Sequence, residues 1–282
     1  MAVDPSLPLG VFDSGLGGLT VVHALSQALP GEDIIYLGDT ARVPYGTRSP
    51  ETVVRYAQGC AAVLVRRGIK ALVVACNTAS AVSIDVLRAE LDLPVLGVVE
   101  PGAQAAVQAA AEAQRHQREP VKIGVLGTAG TVRSGAYPRA VAKISTRLEV
   151  LAAPAPLLVP LVEEGWLDGD VPELAVARYV EPLIAQGVRV LVLGCTHYPL
   201  LRPVIERVAA RIAGAPVPVV DSAQATADAL LRYVDEERLA RHPAPTRPRK
   251  LELLVTDLPA SFEVVAARFL SERLPPATQI DL

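Results

Sequence analysis

Aromatic side chains are scarce in this 282-residue chain: three Phe, seven Tyr and one Trp, about 4% of the residues. That scarcity suits a base-stacking nucleic-acid surface poorly. Neither charge dominates, with 27 basic against 30 acidic residues and a net charge of −3, so no nucleic acid or anionic membrane is expected as a direct partner. No apolar run reaches 18 residues, so no membrane-spanning helix is expected. The opening residues lack a basic segment followed by an apolar stretch, which excludes a secretory signal there. Cysteine is limited to positions 60, 76 and 195. An odd number so widely spaced argues against a disulfide framework and for a reducing, cytoplasmic setting. With no Cys-x-x-Cys pair, no metal is expected.

Hydrophobic residues nevertheless make up 51% of the chain, so the core must be Val, Leu, Ile and Ala, a composition that fits parallel sheets covered by helices. Apolar runs at 9–12, 34–37, 71–75, 95–99, 122–126, 148–151, 188–193, 217–220 and 251–255 read as strands. Between them lie amphipathic stretches, such as Val53, Ala57, Cys60 and Leu64, or Leu174, Ala177, Val180 and Ile184. Repeated strand–helix–strand units predict an α/β fold with mainly parallel sheets.

The sequence also echoes itself. Gly10-Val11-Phe12-Asp13-Ser14 leads to Val74-Ala75-Cys76-Asn77-Thr78, and Gly124-Val125-Leu126-Gly127-Thr128 leads to Leu193-Gly194-Cys195-Thr196-His197. The openings are 114 residues apart and the cysteines 119. Two similar halves facing each other across a cleft are one reading; the general likeness of any two βα units is the other. The expected division is 1–100 plus 214–282 for the first domain and 101–213 for the second. Crossings fall near 99–102 and 214–218, and a Pro-rich connection lies at 242–248.

Cys76 and Cys195 each fall where a strand ends, and Cys76 also falls where a helix begins. Open α/β sheets carry their sites at that edge, and exposed amides with the helix dipole favour a thiolate. A single such cysteine is as well explained as a buried apolar residue; two in matching places weaken that explanation. His197 follows Cys195 closely enough to reach its thiol. Cys60 falls mid-helix on an apolar face and reads as core. The turn Gly15-Leu16-Gly17-Gly18 after Asp13 and Ser14 allows close backbone approach. It fits neither the dinucleotide fingerprint nor a phosphate-binding loop, because Gly-x-Gly-x-x-Gly spacing and a Gly-Lys-Ser/Thr ending are both missing. Asp13 has a second reading as a helix cap, and exposed paired glutamates such as Glu163 with Glu164 are usually solvated surface.

Taken in order, six stretches resemble the glutamate racemase family, part of the wider aspartate/glutamate racemase group. They are Asp13-Ser14-Gly15-Leu16-Gly17-Gly18, Gly38-Asp39-Thr40-Ala41-Arg42-Val43-Pro44-Tyr45-Gly46, Ala75-Cys76-Asn77-Thr78-Ala79-Ser80, Gly127-Thr128-Ala129-Gly130-Thr131-Val132, Pro160-Leu161-Val162-Glu163-Glu164-Gly165 and Gly194-Cys195-Thr196-His197-Tyr198-Pro199. The resemblance spans roughly residues 9 to 270. It implies two similar, pseudo-symmetric α/β domains with the active site in the cleft between them.

It also implies cofactor-independent racemisation of glutamate, with Cys76 acting on the D-enantiomer and Cys195 on the L-enantiomer. Asp13 would assist Cys76, and His197 would assist Cys195. Glu163, rather than Glu164, would be the remaining acidic group. Ser14, Pro44, Tyr45, Gly46, Asn77, Thr78, Thr196 and, with them, Thr128 and Thr131 would hold the substrate, alongside Asp13 and His197. The product would be D-glutamate for peptidoglycan, and the assembly a homodimer. No Schiff-base lysine motif points to pyridoxal phosphate. Alternatives are a racemase for aspartate or another acidic amino acid, a nucleotide-binding module built on the two Gly-rich turns, and a protein-binding role such as the DNA gyrase inhibition attributed to some family members. The last needs an exposed apolar patch that no stretch of the sequence reveals.

Overall fold

The computed structural model describes residues 4–115, 119–236, 239–242, 249–260, 262–270 and 274–282. The Pro-rich residues 243–248 lie outside the described residues. Among the described residues, ten strands and eleven α-helices follow in order. The first half begins β1 (Leu9–Asp13), α1 (Leu19–Ala28), β2 (Ile34–Gly38), α2 (Pro50–Arg66), β3 (Ala71–Val74), α3 (Asn77–Glu90) and β4 (Val95–Gly97). The second comprises α4 (Val99–Gln114), β5 (Lys122–Gly127), α5 (Ala129–Ser134), α6 (Ala136–Ile144), β6 (Val150–Pro154), α7 (Leu158–Glu164), α8 (Asp170–Ala185), β7 (Val188–Gly194), α9 (Arg202–Ala213) and β8 (Val219–Asp221). α10 (Ser222–Asp235), β9 (Leu251–Val255), α11 (Phe262–Phe269) and β10 (Ala277–Gln279) complete the chain.

The strands form two sheets, ordered β10-β9-β2-β1-β3-β4 and β6-β5-β7-β8, and every pairing is parallel. The order β2-β1-β3-β4 repeats as β6-β5-β7-β8. Each half therefore has its cysteine just past the same strand of the plan, Cys76 after β3 and Cys195 after β7. β9 and β10 extend the first sheet beyond β2, where the segment after residue 250 is expected.

One boundary differs. A return to the first half at 214–218 is expected, but Val219–Asp221 pairs with β7 in the second sheet. A three-residue strand carries no signal of which sheet it joins. The return is made instead by α10, which packs on both α1 and α4.

β1 and β3 are buried along their whole length, as strands covered on both faces must be. One apolar core runs from α1 and β1 through α10 to α8, α9 and β7, so the halves share an interior. A second fills the space between the first sheet and α2 and α3. A third lies between the second sheet and α4 and α6. Val53, Ala57, Cys60 and Leu64 form the buried stripe of α2 as expected. On α8 the expected stripe is partly wrong: Leu174 is 71% exposed, and Pro172, Val176, Val180, Leu183 and Ile184 face the core. At the end of the strands remote from the cysteines, Lys70 and Glu32 form a buried ion pair. Among the described residues no helix is long and apolar enough to cross a membrane.

Candidate active site

Parallel strands deliver their following loops to one edge of a sheet, and at a common edge the two halves of the plan meet. A cleft of about 240 Å³ lies there, lined by Ser14, Pro44, Tyr45, Gly46, Cys76, Asn77, Thr78, Thr128, Glu163, Cys195, Thr196 and His197, all expected from the sequence. Gly15, Leu16, Thr40, Val43, Val159, Pro259 and Val265 complete its wall. Pro259 and Val265 come from the segment around α11, whose role as wall had no counterpart in the motifs. Asp13 and Thr131 lie behind the surface, each about 2% exposed or less.

Cys76 is the residue before the first turn of α3. The turn has no side-chain cap and no acidic residue, which leaves amide N–H groups at its mouth for an anionic ligand. The Cys76 thiol donates to the Ser14 hydroxyl at 3.5 Å. Burial works against the thiolate that the helix start favours. Burial, with Asp13 nearby as a second negative group, pushes this thiol up to about 12. Low dielectric penalises the charged form more than the helix terminus favours it.

Asp13 is not a cap of α1, which begins after Gly18. Its carboxylate accepts the Gly15 N–H at 2.9 Å and the Thr196 hydroxyl at 3.5 Å. Burial raises its pKa, with the His197 charge acting against that rise.

Across the cleft, Cys195 Sγ lies 4.0 Å from His197 Nδ1. His197 Nε2 lies 3.0 Å from Glu163 Oε1. Glu163 stands on α7 with its side chain half exposed, and it is this residue, not Glu164, that reaches the imidazole. Burial alone disfavours the charged ring, yet the contacts with Cys195 and Glu163 outweigh it and raise His197 to about 10. Cys195, His197 and Glu163 thus make a continuous chain of polar contacts, which Cys76 lacks.

Two further clusters shape the walls. Thr78, Thr128 and Thr131 form a triangle of hydroxyls, 2.8, 3.1 and 3.2 Å on its sides. It joins α3 of the first half to the start of α5 in the second. Gly46 abuts it so closely that a Cβ there would lie 2.8 Å from Thr128 Cβ. Tyr45 turns its hydroxyl away from the cleft, donating to the fully buried Asp39, which also accepts Arg42 Nε at 2.7 Å and the Thr256 hydroxyl at 2.9 Å. Asp39 belongs to the recognised loop but its anchoring role was not legible. Asn77 is likewise tied down, accepting the Tyr137 hydroxyl at 2.7 Å. Cys60 sits behind Tyr45 in the core, 3.9 Å from its hydroxyl.

Two thiols at equivalent positions of a repeated α/β plan thus line one cleft, and comparison with known proteins places the chain among isomerases. Residues 10–230 match the sequence model of the Asp/Glu/Hydantoin racemase family, and the chain belongs to that family. Its relatives include the glutamate racemase of Geobacter metallireducens, 47% identical over 99% of this chain and 98% of that one. Among solved structures, the glutamate racemase from Thermus thermophilus in complex with beta-chloro-D-alanine is 42% identical, with a TM-score of 0.84 over 99% of this chain and 98% of that one. The glutamate racemase from Francisella tularensis in complex with D-glutamate is 32% identical, with a TM-score of 0.86 and the same coverages. The two-domain α/β architecture and the racemase resemblance read from the sequence are thereby established.

Proposed function

We propose that the protein interconverts L- and D-glutamate without a cofactor, using Cys76 and Cys195 as paired base and acid on opposite faces of the substrate α-carbon. The observation that carries this reading is the presence of both thiols, from equivalent strand ends, on the wall of one cleft. With L-glutamate, the Cys195 thiolate removes the α-proton: the Cα–H bond breaks, an S–H bond forms, and the electron pair is left on Cα, spread into the carboxylate. The Cys76 thiol then gives its proton to the other face and becomes the thiolate. With D-glutamate the roles reverse.

The surroundings support this division. A buried Cys76 held as the thiol suits a proton donor. A cationic imidazole beside Cys195 suits a thiolate. Unfilled amides at the start of α3 and the hydroxyls of Ser14, Thr78 and Thr196 are suited to a carboxylate whose charge grows as the carbanion forms. Both walls come from different halves, so closing them excludes water and strengthens each of these contacts.

The relatives named glutamate racemase support glutamate over aspartate, and D-glutamate made this way would supply peptidoglycan synthesis. Circular dichroism of purified protein with each substrate tests the assignment. Loss of the L-glutamate signal without added cofactor, with L-aspartate unchanged, is expected. Turnover of aspartate in place of glutamate would overturn it.

A further inference from the structure

The turn that carries Cys195 belongs to the second half of the molecule, yet part of its support comes from the first. Between β7 and the one-turn helix at Tyr198–Leu201, the carbonyls of Cys195 and His197 are used by the turn itself, accepting the amides of Tyr198 and Leu200 at 3.2 Å each. The Thr196 carbonyl instead accepts the hydroxyl of Thr20, at 3.1 Å. Thr20 lies on α1 and is 7% exposed. Its hydroxyl also lies 2.9 Å from the Gly17 carbonyl. The single hydroxyl proton is thus shared between the Gly17 and Thr196 carbonyls, and it links the start of α1 to the Cys195 turn.

Gly17 makes the second contact. A Cβ built there would lie 2.3 Å from Thr196 Oγ1 and 2.5 Å from His197 Nδ1. No real Cβ tolerates such distances, so the Thr196 hydroxyl and the His197 ring lie directly on the bare peptide at Gly17. On another side the His197 ring meets the edge of Phe269, centroids 5.1 Å apart. The Cys195–His197 turn is therefore seated on α1 and α11, both from the half that carries Cys76.

We propose that Thr20 is a positioning residue for the Cys195 side of the reaction: through the Thr196 carbonyl it fixes the turn so that the Cys195 thiol and the His197 imidazole face the substrate together. This rests on the two-thiol reading above. It carries a consequence that a general loss of packing does not. Enantiomers are equal in energy in water, so kcat/KM must fall equally in both directions whatever is changed. The step at Cys195, however, should become the slow one in both directions. From L-glutamate that step breaks the α-C–H bond; from D-glutamate it follows the breaking of that bond at Cys76.

The test compares the intact enzyme with Thr20→Val and Thr20→Ser, using α-deuterated L- and D-glutamate. Thr20→Val keeps the shape and removes the hydroxyl; loss of one buried hydrogen bond predicts roughly a fivefold fall in kcat/KM. The isotope effect on kcat/KM should rise for L-glutamate and fall for D-glutamate. Thr20→Ser keeps the hydroxyl and should behave as the intact enzyme. If Thr20→Val does not fold, Thr20→Ala read the same way replaces it. Isotope effects that change alike for both enantiomers or not at all, or a Thr20→Ser variant as impaired as Thr20→Val, would overturn the assignment. Cys195→Ser in the same assay separates the two claims. Full racemisation by that variant sinks the two-thiol reading. Its inactivity together with symmetric Thr20→Val effects sinks only the role of Thr20.

Discussion

Replacing Glu163 by Gln removes one charge from the Cys195–His197–Glu163 chain while leaving an oxygen to accept from the imidazole. Glu163 Oε1 is 3.0 Å from His197 Nε2 and its side chain is 50% exposed, so water screens most of the interaction. At that separation and a water-like dielectric, two unit charges attract by roughly 1.4 kcal/mol, equivalent to about one pH unit. His197 is held at about 10 in the intact protein, so in the variant it should lose its proton about one unit lower. The sign follows from the direction of the shift. A raised imidazole pKa keeps the cation present at neutral pH and loses it as pH rises, so weakening the raise moves the loss to lower pH.

The alkaline limb of the kcat/KM profile should therefore begin about one unit earlier in Glu163→Gln, with less than about a threefold loss at pH 7.5, where the ring stays charged in both proteins. Half-molar salt should narrow the difference, because an exposed pair is screened. Racemisation followed by polarimetry from pH 6 to 10.5 is the assay. An unmoved alkaline limb, or a loss beyond about a hundredfold at neutral pH, would refute the reasoning; the latter would mean that Glu163 meets the reacting atoms itself.

Three other outcomes follow from the same geometry. Cys76, pushed up to about 12 by burial, should react slowly with iodoacetamide at neutral pH, because the thiolate is the nucleophile. A time course read by peptide mapping checks this; labelling of Cys76 as fast as free cysteine in the same reaction would contradict it. Gly46→Ala would place a Cβ 2.8 Å from Thr128 Cβ and hold the two halves apart. KM for glutamate should rise severalfold while thermal stability changes little, and an unchanged KM would show that the walls do not meet there during turnover. Lys70→Met leaves Glu32 as a buried, unpaired carboxylate and should cost about 3–5 kcal/mol in urea unfolding. Activity of the folded protein should persist, because the pair lies at the strand ends remote from the cleft.

The strands that are long and apolar were legible because burial on both faces leaves Val, Leu and Ile almost alone in them. β10 was not, since Ala277-Thr278-Gln279 is short and polar, and its place is fixed only by the free edge of β9. The same limit governs β8: its residues predict a strand, but only its neighbour β7 decides which half it joins. The repeated plan was visible in the spacing of the cysteines, and the matching strand orders give that echo a structural form.

At the site, motif residues were legible because they cluster at strand ends, and the cleft gathers most of them. Asp13 and Thr131 stand just behind it. Residues acting at a distance in sequence were not legible. Thr20 reads as an ordinary helix position until Thr196 is brought beside it, and Phe269 and Pro259 reach the cleft only through the return of the chain to the first sheet. The burial that opposes a thiolate at Cys76 was not legible for a related reason: a helix start is written in the sequence, whereas the depth of burial is a property of the whole fold.

The central claim, that two thiols on opposite sides of one carbon exchange its proton, is tested most directly in D2O. Intact protein, Cys76→Ser and Cys195→Ser are each incubated with L-glutamate and with D-glutamate, and α-deuterium is followed by proton NMR beside optical rotation. The intact protein should deuterate the product enantiomer at Cα without added cofactor, and each variant should lose racemisation by several orders of magnitude. Racemisation persisting at full rate in either variant would show that its cysteine is not one of the two bases, and the account would fail.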